Sequence, residues 1–368
     1  MIRSLDRWLP AWLTRDRAMR GPQNGPWQVF IAVCDHFEPF HGTDKAGALA
    51  AIRQWEQRWP PMVKAFCDAS GRGPRHTFFY PVEQYDDEII ERLAALCERT
   101  GSEVEVHLHH DSDTAASLKQ KLRKGLDDLA RHGLLSRNVS GAPRFGFIHG
   151  NWALDHSHPT GCHCGVPDEL RVLKATGCYA DFTMPAAPDP SQTRTINSIY
   201  YAKEDGLPKS HDRGVAVECG KTARLADDPD HLLMVQGPLG LNWRWRKHGV
   251  LPRIENGDLT TANPPTAVRY RLWTQICPAV KGGGPWIFVK LHTHGGIARN
   301  YDMLLGDAMR AFHKLLGLKR EFQCNYVTAR EMANLVHAAE DGAQGEPGPW
   351  LDHVHAPPPR LDRGGEIG

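Results

Sequence analysis

The chain has 368 residues, enough for one large barrel or two ordinary domains. Its 41% apolar and 24% charged residues are globular values and exclude an extended disordered chain, and a net charge of +1 gives no overall pull toward nucleic acid. Nine cysteines without disulfide-like spacing, no leader-like apolar core and no membrane-length run point to a reducing cytoplasm.

Residues 1–26 read as an N-terminal amphipathic helix and linker, with Leu5, Trp8, Leu9, Trp12 and Leu13 at helical spacing. Two readings stay open for residues 1–20: a helix packed across one end of the domain, or peripheral contact with an anionic membrane surface. Pro10 argues against one long helix. Residues 27–340 then alternate apolar strands with amphipathic helices. Trp27 to Glu38 is an unbroken apolar run that ends in charge, as buried parallel strands do. On it, Asp35 shares a face with Val29, Ile31 and Val33, and His36 and Glu38 share the other. A helix is expected over 44–68, interrupted at Pro60 and Pro61, and another from about Tyr85 to Arg99 with Gly101 as C-cap.

Glu103 to Asp113 is a strand that turns polar at its C-terminal end, where three histidines and two aspartates fall in seven residues. Alternation puts Val104, Val106 and Leu108 on one face. It puts Glu105, His107, His109 and Asp111 on the other if the strand continues that far. Two readings stay open for this end: a solvated strand end, or imidazoles and carboxylates partnered by a divalent cation such as zinc. Further strand ends carry His149 and Asn151, and His292 and His294. Lys290 and Glu105 are expected to face inward as a paired charge. The loop Asp155 to Cys164 holds His156, His158, His163, Cys162 and Cys164, as a zinc loop would, but its Cys-x-Cys spacing is tighter than usual. Residues 341–368 read as a loosely held Pro/Gly-rich tail.

These elements predict an α/β fold: a distorted (β/α) barrel of seven or eight parallel strands, with an active site where the strand C-terminal ends converge. The chain resembles the polysaccharide deacetylase (nodulation protein B-like) group of the glycoside hydrolase/deacetylase barrel superfamily. Four stretches carry the likeness: the strand ending in Asp35, the run His107 to Asp111, Tyr179-Ala-Asp-Phe-Thr183, and Val289 to Gly295. Residues 151–185 and 286–295 are also similar to bacterial proteins that accompany polysaccharide-synthesis genes. The resemblance implies a metal-dependent hydrolase that removes an acyl group from a carbohydrate. It implies His107, Asp111 and His36 as metal ligands and Asp35 as base. His292 or His294 would be the acid, with Asp181 tuning it. His109, His149, Asn151, Trp152 and Trp243 would contact substrate.

The chain also departs from that pattern. Asp35-His36 stands where the family has paired aspartates, Asp111 where it has a second histidine, and Phe147 to Trp152 where it has an arginine-proline motif. Two other functions therefore stay in view: a catalytically inactive barrel that binds glycan or partners in polysaccharide assembly, and an amide hydrolase on a non-sugar substrate.

Overall fold

The structure, a computed structural model, describes residues 4–15, 27–318 and 321–359. It begins with helix α1 (Leu5–Thr14), strand β1 (Trp27–His36), α2 (Lys45–Ala65), β2 (Thr77–Pro81), α3 (Asp87–Thr100) and β3 (Glu103–Leu108). There follow α4 (Ala115–Ala130), β4 (Ser136–Arg137), β5 (Pro143–His149), α5 (Glu169–Thr176), β6 (Cys178–Asp181), β7 (Ile199–Lys203), β8 (Gly214–Ala216) and β9 (His231–Val235). The chain continues through β10 (Gly240–Lys247), β11 (Leu251–Glu255), α6 (Ala267–Ile276), β12 (Trp286–Thr293), α7 (Ala298–Leu304), α8 (Asp307–Leu318), β13 (Phe322–Tyr326) and α9 (Ala329–Glu340).

The central sheet runs β12-β1-β2-β3-β5-β6-β9-β7-β8 and is mostly parallel. Strand β1 is its hub. One edge pairs with β12 from Gln28 to Asp35. The other edge is shared by β13 along Trp27–Ile31 and by β2 along Cys34–His36. Only β7, β8 and the short β4 pair antiparallel within it. The fold is thus α/β as expected, but the sheet does not close: among the described residues no ladder joins β12 to β9, β7 or β8. Irregular chain satisfies the free edge of β12 instead. Leu259 N–H donates to His292 O, His292 N–H to Gly257 O, and Phe288 N–H to Pro278 O. Backbone groups served in this way leave no edge that demands another strand.

The two faces of the sheet bury different things. Val29, Ile31 and Val33 of β1 and Val104, Val106 and Leu108 of β3 pack under helices α2 to α8. Phe30, Ala32 and Cys34 of β1 face the other way, against α9. All twelve residues of α9 are buried. Its start is fixed by a capping box between Thr328 and Glu331. Gly101 caps α3 at φ 66°, a conformation a glycine adopts without steric cost. Helix α4 is capped by Thr114, whose side chain accepts from Ser117 N–H.

Three local expectations change. Helix α1 runs through Pro10, and α2 runs through Pro60 and Pro61 to Ala65. The apolar face of α1 is spent on the protein itself: Trp8 and Trp12 are buried against Ala187, Leu239 and Ile276. Leu13 of the same helix is 57% exposed, and residues 16–26 lie outside the described residues. The tail is held as far as His355. Asn334 Nδ2 donates to Leu351 O and His355 O, Arg330 reaches His355 O, and the His355 ring stacks on Tyr179. Residues 360–368 lie outside the described residues. No helix among the described residues is long and apolar enough to cross a membrane.

Candidate metal centre at the strand ends

The strand ends after β1, β3 and β12 bring His36, Glu38, His107, His109 and His294 together. Two three-residue groups, His36/Glu38/His294 and Glu38/His107/His109, each bring their ligand atoms within 4.8 Å of one another. Glu38 is common to both. The rings pack closely, His36 lying 4.8 Å from His294 and 5.1 Å from His107. The indole of Trp152 closes one side, 6.1 Å from His36 and 6.3 Å from His294.

Hydrogen-bond chemistry fixes the protons of the second group. His107 Nδ1 lies 2.8 Å from Ile148 O, which can only accept, so Nδ1 carries the proton. The ring's Nε2 lies 3.1 Å from Glu38 Oε1. A carboxylate facing that nitrogen requires something positive between or on them, a proton or a metal ion. His109 repeats the arrangement, with Nδ1 2.7 Å from Glu83 Oε1 and Nε2 3.3 Å from Glu38 Oε1. Burial alone would raise the Glu38 pKa, but hydrogen bonds from His107 and His109 outweigh it and hold the carboxyl well below its usual range. His109 is correspondingly raised to about 9, since Glu38 and Glu83 outweigh its burial. On the other side of Glu38, burial and the neighbouring His294, His107, His292 and Lys290 hold His36 well below its usual value. Its Nε2 is buried with no hydrogen-bond partner.

The residues expected at this centre divide sharply. His36, His107, His109, His294 and Trp152 are there. Asp35 is buried on the opposite face of β1, where its carboxylate meets His76 Nε2 at 2.9 Å and accepts from Gly295 N–H. Asp111 is exposed, is hydrogen-bonded by the Ser112 hydroxyl, and belongs to none of the metal-capable groups. The reason is that β3 ends at Leu108, so alternation no longer applies beyond it. His292 is buried, with its ring 6.1 Å from that of His36 and its Nδ1 without a hydrogen-bond partner.

Asp181 accepts from the amide and hydroxyl of Thr183 and makes no hydrogen bond to His292. His149 is fully buried in a different group, with His110, Cys164 and Glu169. Asn151 is exposed in the loop just after β5. Trp243 stands 55% exposed on the hairpin β10–β11, with no ring contact to the histidines. Lys290 is buried but does not pair with Glu105. Its Nζ donates to Met184 O, while Glu105 accepts from Tyr179 and Gly146.

Glu38 is the candidate ligand most easily missed. It lies past the end of β1 among loop residues, and its parity with His36 and its place as an alternative partner to Asp35 are the signals for it. Neither a protein-family model nor a curated relative matches the chain.

Proposed function

We propose that the chain is a metal-dependent hydrolase whose substrate is an acylated carbohydrate, with Glu38, His107 and His109 as the metal-holding set. The observation that carries this is the convergence of His107 Nε2 and His109 Nε2 on one oxygen of Glu38. Three protein ligands of imidazole and carboxylate leave a coordination position open, the pattern of catalytic rather than structural zinc. The bound divalent ion, zinc most readily, would polarise the acyl oxygen and activate water. Binding it would displace the proton that His109 Nε2 directs at Glu38, while Nδ1 keeps its contact to Glu83.

The chain's own groups supply the rest. His294, kept neutral by burial, takes the proton of the attacking water and returns it to the leaving amine or alcohol as the acyl C–N or C–O bond breaks. Ile148 O holds the His107 tautomer. Trp152 offers an aromatic face on which a sugar ring can stack. The C-terminal ends of the parallel strands β1, β3 and β12 bring these groups together.

A binding protein without activity is the second reading. Its support is the place of Asp35, buried against His76 rather than beside the histidine cluster. The two readings separate in one assay. Zinc-loaded protein is incubated with N- and O-acetylated oligosaccharides and acetate is measured. Release that is lost in Glu38→Gln supports the hydrolase. Stoichiometric metal and glycan binding without acetate release leaves the binding protein.

A further inference from the structure

We infer that His110, His149, Cys164 and Glu169 form a second, buried metal site that ties the loop between β5 and α5 to the strand ends. All four are buried and their ligand atoms lie within 4.8 Å of one another. Two imidazoles, a thiolate and a carboxylate are a tetrahedral zinc donor set, closed to water as structural sites are. The charges also balance: one thiolate and one carboxylate neutralise a divalent cation where uncompensated charge would be costly.

The hydrogen-bond geometry accommodates such an ion. His149 Nδ1 approaches Gly150 O, which can only accept, so that nitrogen carries the ring's proton. His110 Nδ1 lies 3.1 Å from Asp113 Oδ2 as an ion-pair contact rather than an aligned hydrogen bond. The two Nε2 atoms face each other at 2.9 Å. With His149 Nε2 left as an acceptor, either a proton on His110 Nε2 or a metal ion must lie between the two nitrogens. Glu169 Oε1 stands 3.2 Å from one Nε2 and 3.4 Å from the other. The sulfur of Cys164 lies 3.3 Å from Glu169 Oε2 and accepts backbone N–H groups from His156 and Val166. Outer groups that orient ligands in this way are usual around metals.

The site has a structural task in view. The loop it would hold carries Asn151, Trp152, Asp155, His156 and His163 at positive φ, between 51° and 67°. Such conformations are costly outside glycine and persist only where the surroundings impose them. Gly165, at φ 118°, passes so close to Asp113 that a Cβ would meet its backbone oxygen at 2.7 Å. Trp152, carried by the same loop, is the residue that walls the histidine cluster. The remaining side chains of the suspected zinc loop stay outside: Cys162 meets His158 near the surface, and His156 accepts from Gly165 N–H.

Sulfur distinguishes this site from the Glu38 centre, which has none. Full-length protein loaded with cobalt(II) should show thiolate-to-metal charge-transfer absorption. The band should vanish in Cys164→Ser and persist in Cys162→Ser and Glu38→Gln. X-ray absorption on the zinc-loaded wild-type chain, which needs no variant to fold, should show one sulfur at ~2.3 Å with nitrogen and oxygen at ~2.0–2.2 Å. A first shell without sulfur, a band that survives Cys164→Ser, or a chain that takes up no sulfur-ligated metal overturns the inference. The four side chains would then be a protonated network. Each result is independent of acetate release.

Discussion

Asp35 and His36 are adjacent in the chain and face opposite sides of the sheet. The Asp35 carboxylate is buried against His76 and the Gly295 amide, while the His36 ring joins Glu38 and His294. Asp35 thereby sets the turn after β12 that carries His294, and Trp55 Nε1 braces the same turn by donating to Gly295 O at 3.0 Å. This makes Asp35 a positioning residue.

Asp35→Asn should lose about 1–3 kcal/mol of stability, because buried partners are left imperfectly matched. Urea unfolding measures this. Hydrolysis should fall in step with the weakened turn. A drop in kcat beyond ~1,000-fold at unchanged stability and metal content would instead put Asp35 in the chemistry.

Glu38→Gln and Asp111→Asn form a contrasting pair. Loss of residues that merely orient ligands costs ~10–100-fold in metal affinity, so removing the shared carboxylate should cost more than ~100-fold. Asp111 is exposed and outside the cluster, so its variant should bind like the wild type. Competition titration with a chelating dye reads both. Equal losses would return Asp111 to the ligand set.

Lys290 gives stability a pH dependence. Burial lowers its pKa from 10.5 to about 8, against the raising influence of Cys34 and Asp181. His36 and His292 also feel its charge. Between about pH 8 and 10.5 the unfolded chain binds the extra proton. The contribution of Lys290 to stability therefore rises with pH across that window, by on the order of 3 kcal/mol. Lys290→Met should flatten the rise. It should also add on the order of 1–2 kcal/mol at pH 7, the desolvation cost removed less the hydrogen bond to Met184 O. The difference in unfolding free energy between wild type and Lys290→Met at pH 7, 8 and 10 checks this, and a difference that does not rise above pH 8 contradicts it.

Arg269 and Glu255 make a buried bidentate pair at 2.7 and 2.9 Å. Arg269 also donates to Asp258 O at 2.7 Å, in the segment that lines the edge of β12 at His292. Arg269→Met should cost about 3–5 kcal/mol, since it leaves Glu255 buried without its partner. Amide exchange at His292 should quicken more than at β1. Uniform quickening would show that the segment is not locally held by Arg269.

Local periodicity determined much of this from the sequence alone. The alternation of β1 already placed Asp35 with Val29, Ile31 and Val33 and placed Glu38 with His36, because strand side chains alternate wherever pairing holds the backbone extended. The same rule placed Val104, Val106 and Leu108 under the helices and His107 on the other face. The rule stops where pairing stops. After Leu108 the chain leaves the ladder, and three consecutive residues diverge: His109 to the Glu38 centre, His110 to the buried group, Asp111 to solvent. Their directions depend on Glu83, Glu169 and Cys164, which come from distant parts of the chain, so no local pattern contains them. The open sheet is of the same kind. Strand and helix order was legible, but whether β12 met another strand or the irregular segment at Gly257 was decided by tertiary packing, which only had to satisfy its backbone groups.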